Sequence, residues 1–221
     1  MGNRRSPRGL VIFDLDGTLV DSRADLAAAV NASLVELGRP PLPVDEIERF
    51  IGHGVTRLLE RALGGAEAGA RARPVFHRHY ESCLLDRTRP YPGIDALVRE
   101  LGEGRKLAVA TNKPGPWARS IVDGLGWSQA IPYVVGGGDV ERLKPAPDMA
   151  DLLMERSGAQ AASTIVVGDM DVDLELARAA GVRFVGVSWG LGGRAQLTGA
   201  GAELVVDSAA ELEQVLEHAT G

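Results

Sequence analysis

Residues 10–21 read LVIFDLDGTLVD. Four apolar residues run without a break, and Asp14, Asp16 and Gly17 follow. A short continuous apolar run that ends in turn residues suits a strand buried on both faces, as in a parallel sheet between two helical layers. The two aspartates need another explanation. Like charges this close are costly unless a cation lies between them or one of them is protonated.

Further apolar runs lie at 106–112 (KLAVATN), 133–138 (YVVGGG), 163–169 (STIVVGD), 182–189 (VRFVGVSW) and 202–208 (AELVVDS). Stretches of helical pattern separate them, at 116–126, 148–158 and 171–181. Pro116 suits a first helical turn and Gly126 a helix exit. Strand and helix alternating at this spacing predict an α/β fold, a doubly wound, Rossmann-like parallel sheet covered on both faces. The GGG at 136–138 reads as a flexible exit from its strand.

The first interval breaks this rhythm. About ninety residues separate the first two strands, and 24–38, 44–52, 55–64 and 66–86 have helical apolar spacing. Within them, GGAEAGARAR (64–73) reads as a helix connection. The expectation is a core of residues 9–19 and 91–221, with a small helical domain of residues 20–90 inserted after the first strand.

The composition agrees. Of 221 residues 45% are hydrophobic and only 5% aromatic, so the core is aliphatic. The net charge of −6 argues against a nucleic-acid partner, which needs surplus cations. The single cysteine, Cys83, excludes an internal disulfide and fits a cytoplasmic setting. The basic start, MGNRRSPRG, precedes an apolar run too short for a signal peptide, and residues 1–8 read as a loose tail. No apolar run is long enough to span a membrane.

In open parallel sheets ligands bind beyond the carboxyl ends of the strands. Those ends carry Asp14 and Asp16; Thr111, Asn112 and Lys113; Lys144 and Pro145; and Asp169, with Asp171 and Asp173 close behind. Only three of the 24 basic residues are lysines, and two of these, Lys113 and Lys144, fall at this rim. Asp14 and Asp16 face one side if the strand pattern holds to its end. Asp14, Asp169 and the backbone carbonyl of Asp16 would suit Mg²⁺, which prefers a few carboxylates together with water and phosphate oxygens. An ionised Asp14 can act as a nucleophile on phosphorus, and a protonated Asp16 can donate to the leaving oxygen.

The stretches DLDGTLVDS (14–22), TNK (111–113), KP (144–145) and GDMDVD (168–173) resemble, in order and spacing, the four motifs of the haloacid dehalogenase superfamily. The resemblance covers residues 9–208. The helical insertion resembles the cap of its first subclass, and FIGHGVTRLLERAL (50–63) with YPG (91–93) is most similar to the phosphoglycolate phosphatase branch. The resemblance implies Asp14 as nucleophile, Asp16 as general acid and base, and Thr111 and the Asn112 amide as holders of the phosphoryl oxygens, with Lys113 beside them at the substrate. It implies Lys144 as the charge balancing Asp14 and phosphate, Asp169 as a Mg²⁺ ligand, and Asp173 as support for the metal and Lys144. Asp171 matches no demanded position.

In a cap closing on an anionic substrate, His53, set between two glycines, and Arg61 are the expected contacts. Arg57 shares a helix face with Arg61, and His77 and His79 read as surface. Trp189 and Gly190 follow a strand near the rim. The expected reaction is Mg²⁺-dependent hydrolysis of a small anionic phosphate ester, first of all 2-phosphoglycolate, by a monomer or homodimer. A phosphatase of sugar phosphates or nucleotides, a phosphosugar mutase, and a binding protein on an inactive core are the alternatives. A dehalogenase would not need the acid at Asp16.

Overall fold

The computed structural model describes residues 8–218. The expected loose tail, residues 1–8, therefore lies outside the described residues except for Arg8, which opens the first strand. Strand β1 (Arg8–Phe13) leads into the short β2 (Val20–Asp21), followed by helices α1 (Arg23–Glu36), α2 (Val44–Glu48), α3 (Gly54–Leu63) and α4 (Ala66–Glu81). Then come β3 (Arg89–Pro90), α5 (Ile94–Gly102), β4 (Arg105–Pro114), α6 (Gly115–Gly124), β5 (Tyr133–Gly137) and α7 (Asp148–Ser157). The chain continues through β6 (Thr164–Gly168), α8 (Asp171–Ala179), β7 (Arg183–Val187), α9 (Gly193–Gly199), β8 (Val205–Val206) and α10 (Ala209–His218).

Six strands form one sheet in the order β5-β4-β1-β6-β7-β8, and every pairing in it is parallel. The period-two alternation of a strand divides each apolar run between two layers. Val11 and Phe13 of β1, Leu107 and Val109 of β4, and Ile165 and Val167 of β6 pack against α5, α6 and α10. Leu10 and Ile12, Ala108 and Ala110, and Val166 pack on the other side, against α7 and α8. Burying a side chain of this size contributes about 1.5–3 kcal/mol. This is why the decisive stretch is apolar at consecutive positions: β1 is central and has no solvent face.

Between β1 and β4 the helices α1–α4 gather an apolar cluster of their own, with Leu59, Phe76 and Tyr80 fully buried. Trp117 of α6 joins it from the sheet side, 5.0 Å from the Tyr80 ring and donating from Nε1 to Glu81. The antiparallel pair β2·β3 ties the entry to this segment to its exit.

Three expectations need correction. Residues 66–73 are not a connection; they form the first two turns of α4, in keeping with the high helix propensity of Ala, Glu and Arg. Gly136 and Gly137 do not leave β5 but complete it. The expected 44–52 helix is only the short α2. His77 packs edge-on against Trp117 with ring centroids 4.6 Å apart, and His79 meets Glu36 at 2.8 Å. No helix among the described residues is long and apolar enough to cross a membrane.

Candidate active site

The carboxyl ends of β1, β4 and β6 meet at one point, with the loop carrying Lys144 beside them. β1 ends at Phe13, although the Asp14 amide adds one more bond to the ladder through the Val167 carbonyl, at 2.9 Å. The strand pattern therefore does not extend to Asp16, which sits in the following turn. Both aspartates nevertheless line one cavity, together with Thr111, Asn112 and Lys113. The helical segment covers that cavity with Leu26, Ile51, Gly52, Gly54, Val55 and Leu58.

Lys144 is the hub of the buried charges. Its Nζ lies 2.7 Å from both Asp14 Oδ1 and Asp173 Oδ1, and the residue is only 5% exposed. Burial opposes the Lys144 charge, but Asp14 and Asp173 outweigh it and hold the ammonium above the usual lysine range. Asn112 fixes the lysine backbone. Its Nδ2 donates to the Lys144 carbonyl at 3.2 Å, and the Lys144 amide donates to its Oδ1 at 2.9 Å. The Lys144–Pro145 peptide bond is cis.

Asp169 is fully buried and held on both oxygens. Thr18 Oγ1 donates to Oδ1 at 3.0 Å and the Leu191 amide to Oδ2 at 2.7 Å. Gly17 has φ +96°, and a Cβ there would stand 2.4 Å from Asp169 Oδ2; the turn after β1 therefore requires glycine. Gly190 approaches as closely from the other side, where a Cβ would meet Asp169 Oδ2 at 2.3 Å. Trp189 donates from Nε1 to the Thr18 carbonyl, 3.1 Å away, and so braces the same turn.

Asp14, Asp169 and Asp173 each bring a carboxylate oxygen within 4.8 Å of the others. Of these three buried carboxylates Lys144 pairs with Asp14 and Asp173, while Asp169 has only the neutral donors of Thr18 and Leu191. Burial pushes Asp14 up to about 7; Lys144 pulls against this and the Asp173 charge adds to it. Burial, then the Asp14 and Asp173 charges, push Asp169 up to about 8. This is the strain a bound cation would relieve. The donors are all oxygen, which suits a small hard divalent ion. The cluster could therefore hold a metal.

Asp16 lies outside that cluster by its side chain. Its Oδ1 accepts from Ser22 Oγ at 2.5 Å, and its Oδ2 pairs with Lys113 Nζ at 2.8 Å. Burial opposes the Lys113 charge, but Asp16 and Tyr80 outweigh it and hold that ammonium high too. Lys113 Nζ also stands 4.7 Å from the centroid of the Tyr80 ring, contributed by α4. Thr111 Oγ1 accepts from the Lys113 amide at 3.2 Å, which leaves its own O–H to donate.

The remaining expected contacts lie elsewhere. His53 sits at the start of α3, half-buried, and does not line the cavity. Arg61 is exposed and donates to the Arg49 carbonyl at 3.4 Å, while Arg57 pairs with Glu60 at 3.2 Å. Asp171 accepts from the Val172 amide and is not part of the carboxylate cluster. Sequence reasoning did not single out Thr18, Ser22, Leu191 or Tyr80. The first two stood within the DLDGTLVDS stretch; the Leu191 amide and the Tyr80 ring carry no signal in a single sequence.

Comparison with known proteins points to one family. The model of the haloacid dehalogenase-like hydrolase family matches residues 11–187. A phosphoglycolate phosphatase (plasmid) of Cupriavidus necator is 36% identical over 216 residues, covering 95% of this chain and 94% of that protein. The phosphoglycolate phosphatase of Pseudomonas putida is 33% identical over 206 residues, covering 90% of this chain and 76% of its own. The crystal structure of a predicted phosphoglycolate phosphatase from Haemophilus somnus superposes with a TM-score of 0.88 at 26% identity, covering 95% of this chain and 98% of that one. The chain belongs to the haloacid dehalogenase-like hydrolase family.

Proposed function

We propose that the protein is a Mg²⁺-dependent phosphatase that hydrolyses a small phosphate monoester, 2-phosphoglycolate first of all, through an aspartyl phosphate on Asp14. The observation that carries this reading is the pairing of Asp14 with Lys144 at 2.7 Å beside Asp169 and Asp173, where the adjacent strands β1 and β6 end and α8 begins. The names of the relatives support the substrate.

In this reading Asp14 attacks phosphorus, and Asp16, held by Ser22 and Lys113, gives a proton to the leaving oxygen. Asp16 then takes a proton from the water that attacks the aspartyl phosphate, releasing phosphate and restoring Asp14. The Thr111 hydroxyl and the Asn112 amide hold the phosphoryl oxygens, and Lys144 offsets their charge together with that of Asp14. A Mg²⁺ ion held by Asp14, Asp169 and the Asp16 carbonyl would supply further positive charge to the phosphoryl group. Asp173 keeps Lys144 in place through its Oδ1.

We also read residues 20–90 as a cap on a core of residues 9–19 and 91–221, excluding water during transfer. A phosphate-release panel with Mg²⁺, ranked by kcat/KM, tests the assignment. The expected result is that 2-phosphoglycolate leads. Sugar phosphates or nucleotides ranking above it would overturn the substrate, and absence of phosphate release from every ester would overturn the chemistry.

A further inference from the structure

The helical side of the cavity offers a substrate only apolar side chains, Leu26, Ile51, Val55 and Leu58, besides two glycines. A carboxylate moved from water onto such a wall loses its hydration and gains no partner. Arg57 and Arg61 do not line the cavity, and Lys144 is already committed to Asp14 and Asp173. That leaves Lys113 as the cation in the lining. It is 5% exposed, and an ammonium has three donors, of which Asp16 takes one.

We propose that Lys113 recognises a carboxylate on the carbon next to the ester oxygen, which restricts the site to phosphate esters of short 2-hydroxy acids. The proposal rests on the phosphatase reading above and assigns the selecting residue within it. The geometry follows from Asp16. If Asp16 serves the leaving oxygen, the group 2.8 Å from its Oδ2 stands beside whatever the neighbouring carbon carries. In a phosphorylated 2-hydroxy acid that substituent is the carboxylate; in an alkyl or sugar phosphate it is uncharged. Tyr80, packed over Lys113 from α4, holds the ammonium at the junction of the two sides.

The test compares 2-phosphoglycolate with ethyl phosphate, which has a methyl group in place of the carboxylate, in the wild type, Lys113→Met and Lys113→Gln. The quantity read is the ratio of their kcat/KM values, because loss of support for Asp16 lowers both esters alike and cancels. A hydrogen-bonded charge contributes about 1.5–3 kcal/mol, so Lys113→Met is expected to shrink the preference for 2-phosphoglycolate by about 10–100-fold. Lys113→Gln, which keeps a neutral donor, is expected to fall between the two, and it decides the matter if a thermal melt shows Lys113→Met unfolded. A wild-type preference that survives in the folded variant overturns the role of Lys113 and leaves the phosphatase reading intact. No preference in the wild type itself overturns the 2-phosphoglycolate assignment, and this proposal with it.

Discussion

The Asn112 side chain grips the Lys144 backbone at both ends, donating to its carbonyl and accepting from its amide across 32 positions of sequence. The grip sets where the lysine starts, and hence where its ammonium reaches Asp14 and Asp173. Asn112→Ala would leave two buried backbone groups unpaired, at about 1–3 kcal/mol each, and let Lys144 drift. A displacement of about 1 Å at a reacting centre costs about 10²-fold. Steady-state kinetics should show kcat reduced by about 10–100-fold with KM changed far less. A kcat within twofold of wild type would mean that Lys144 keeps its place without the clamp.

A divalent ion at the carboxylate cluster should stabilise the fold by mass action. At a hundred times its dissociation constant a ligand contributes about 2.7 kcal/mol. For a domain of this size that raises Tm by about 5–10 °C. Adding MgCl₂ to chelator-treated protein should therefore shift the melting curve upward, and Asp169→Asn should abolish the shift. An equal shift in the variant would place the ion elsewhere.

Asp25, fully buried on α1, accepts from the Arg87 and Thr88 amides, from Thr88 Oγ1 and from Arg87 Nε. It fastens the start of the helical segment to its end, next to β2·β3. Asp25→Ala leaves the buried Thr88 amide and hydroxyl without their acceptor, at about 1–3 kcal/mol for each group. Urea denaturation of Asp25→Ala should show a midpoint lowered accordingly. A loss below about 1 kcal/mol would show the junction to be held by β2·β3 and packing alone.

The fold was legible because strands buried on both faces are apolar at consecutive positions, and β1, β4 and β6 advertise this in LVIF, LAVA and IVV. The polar residues that break each run then fell at the strand ends, where the sheet brings Asp14, Thr111 and Asp169 together. What could not be read depended on how the helical segment lies over the sheet. Tyr80 reaches Lys113 only because α4 packs on Trp117, and no spacing in the sequence encodes that distance. Arg61 looked like a contact because its charge suits an anion, yet its helix turns it outward while Val55 and Leu58 of the same helix face the cavity.

In the proposed reaction Asp14 itself takes the phosphoryl group. An aspartyl phosphate is reduced by borohydride to homoserine, so turnover quenched in borohydride marks the residue that carried it. Digestion and mass spectrometry of enzyme quenched during 2-phosphoglycolate hydrolysis should find homoserine at position 14. Conversion at another carboxylate, or an unmodified Asp14 during active phosphate release, would contradict the account.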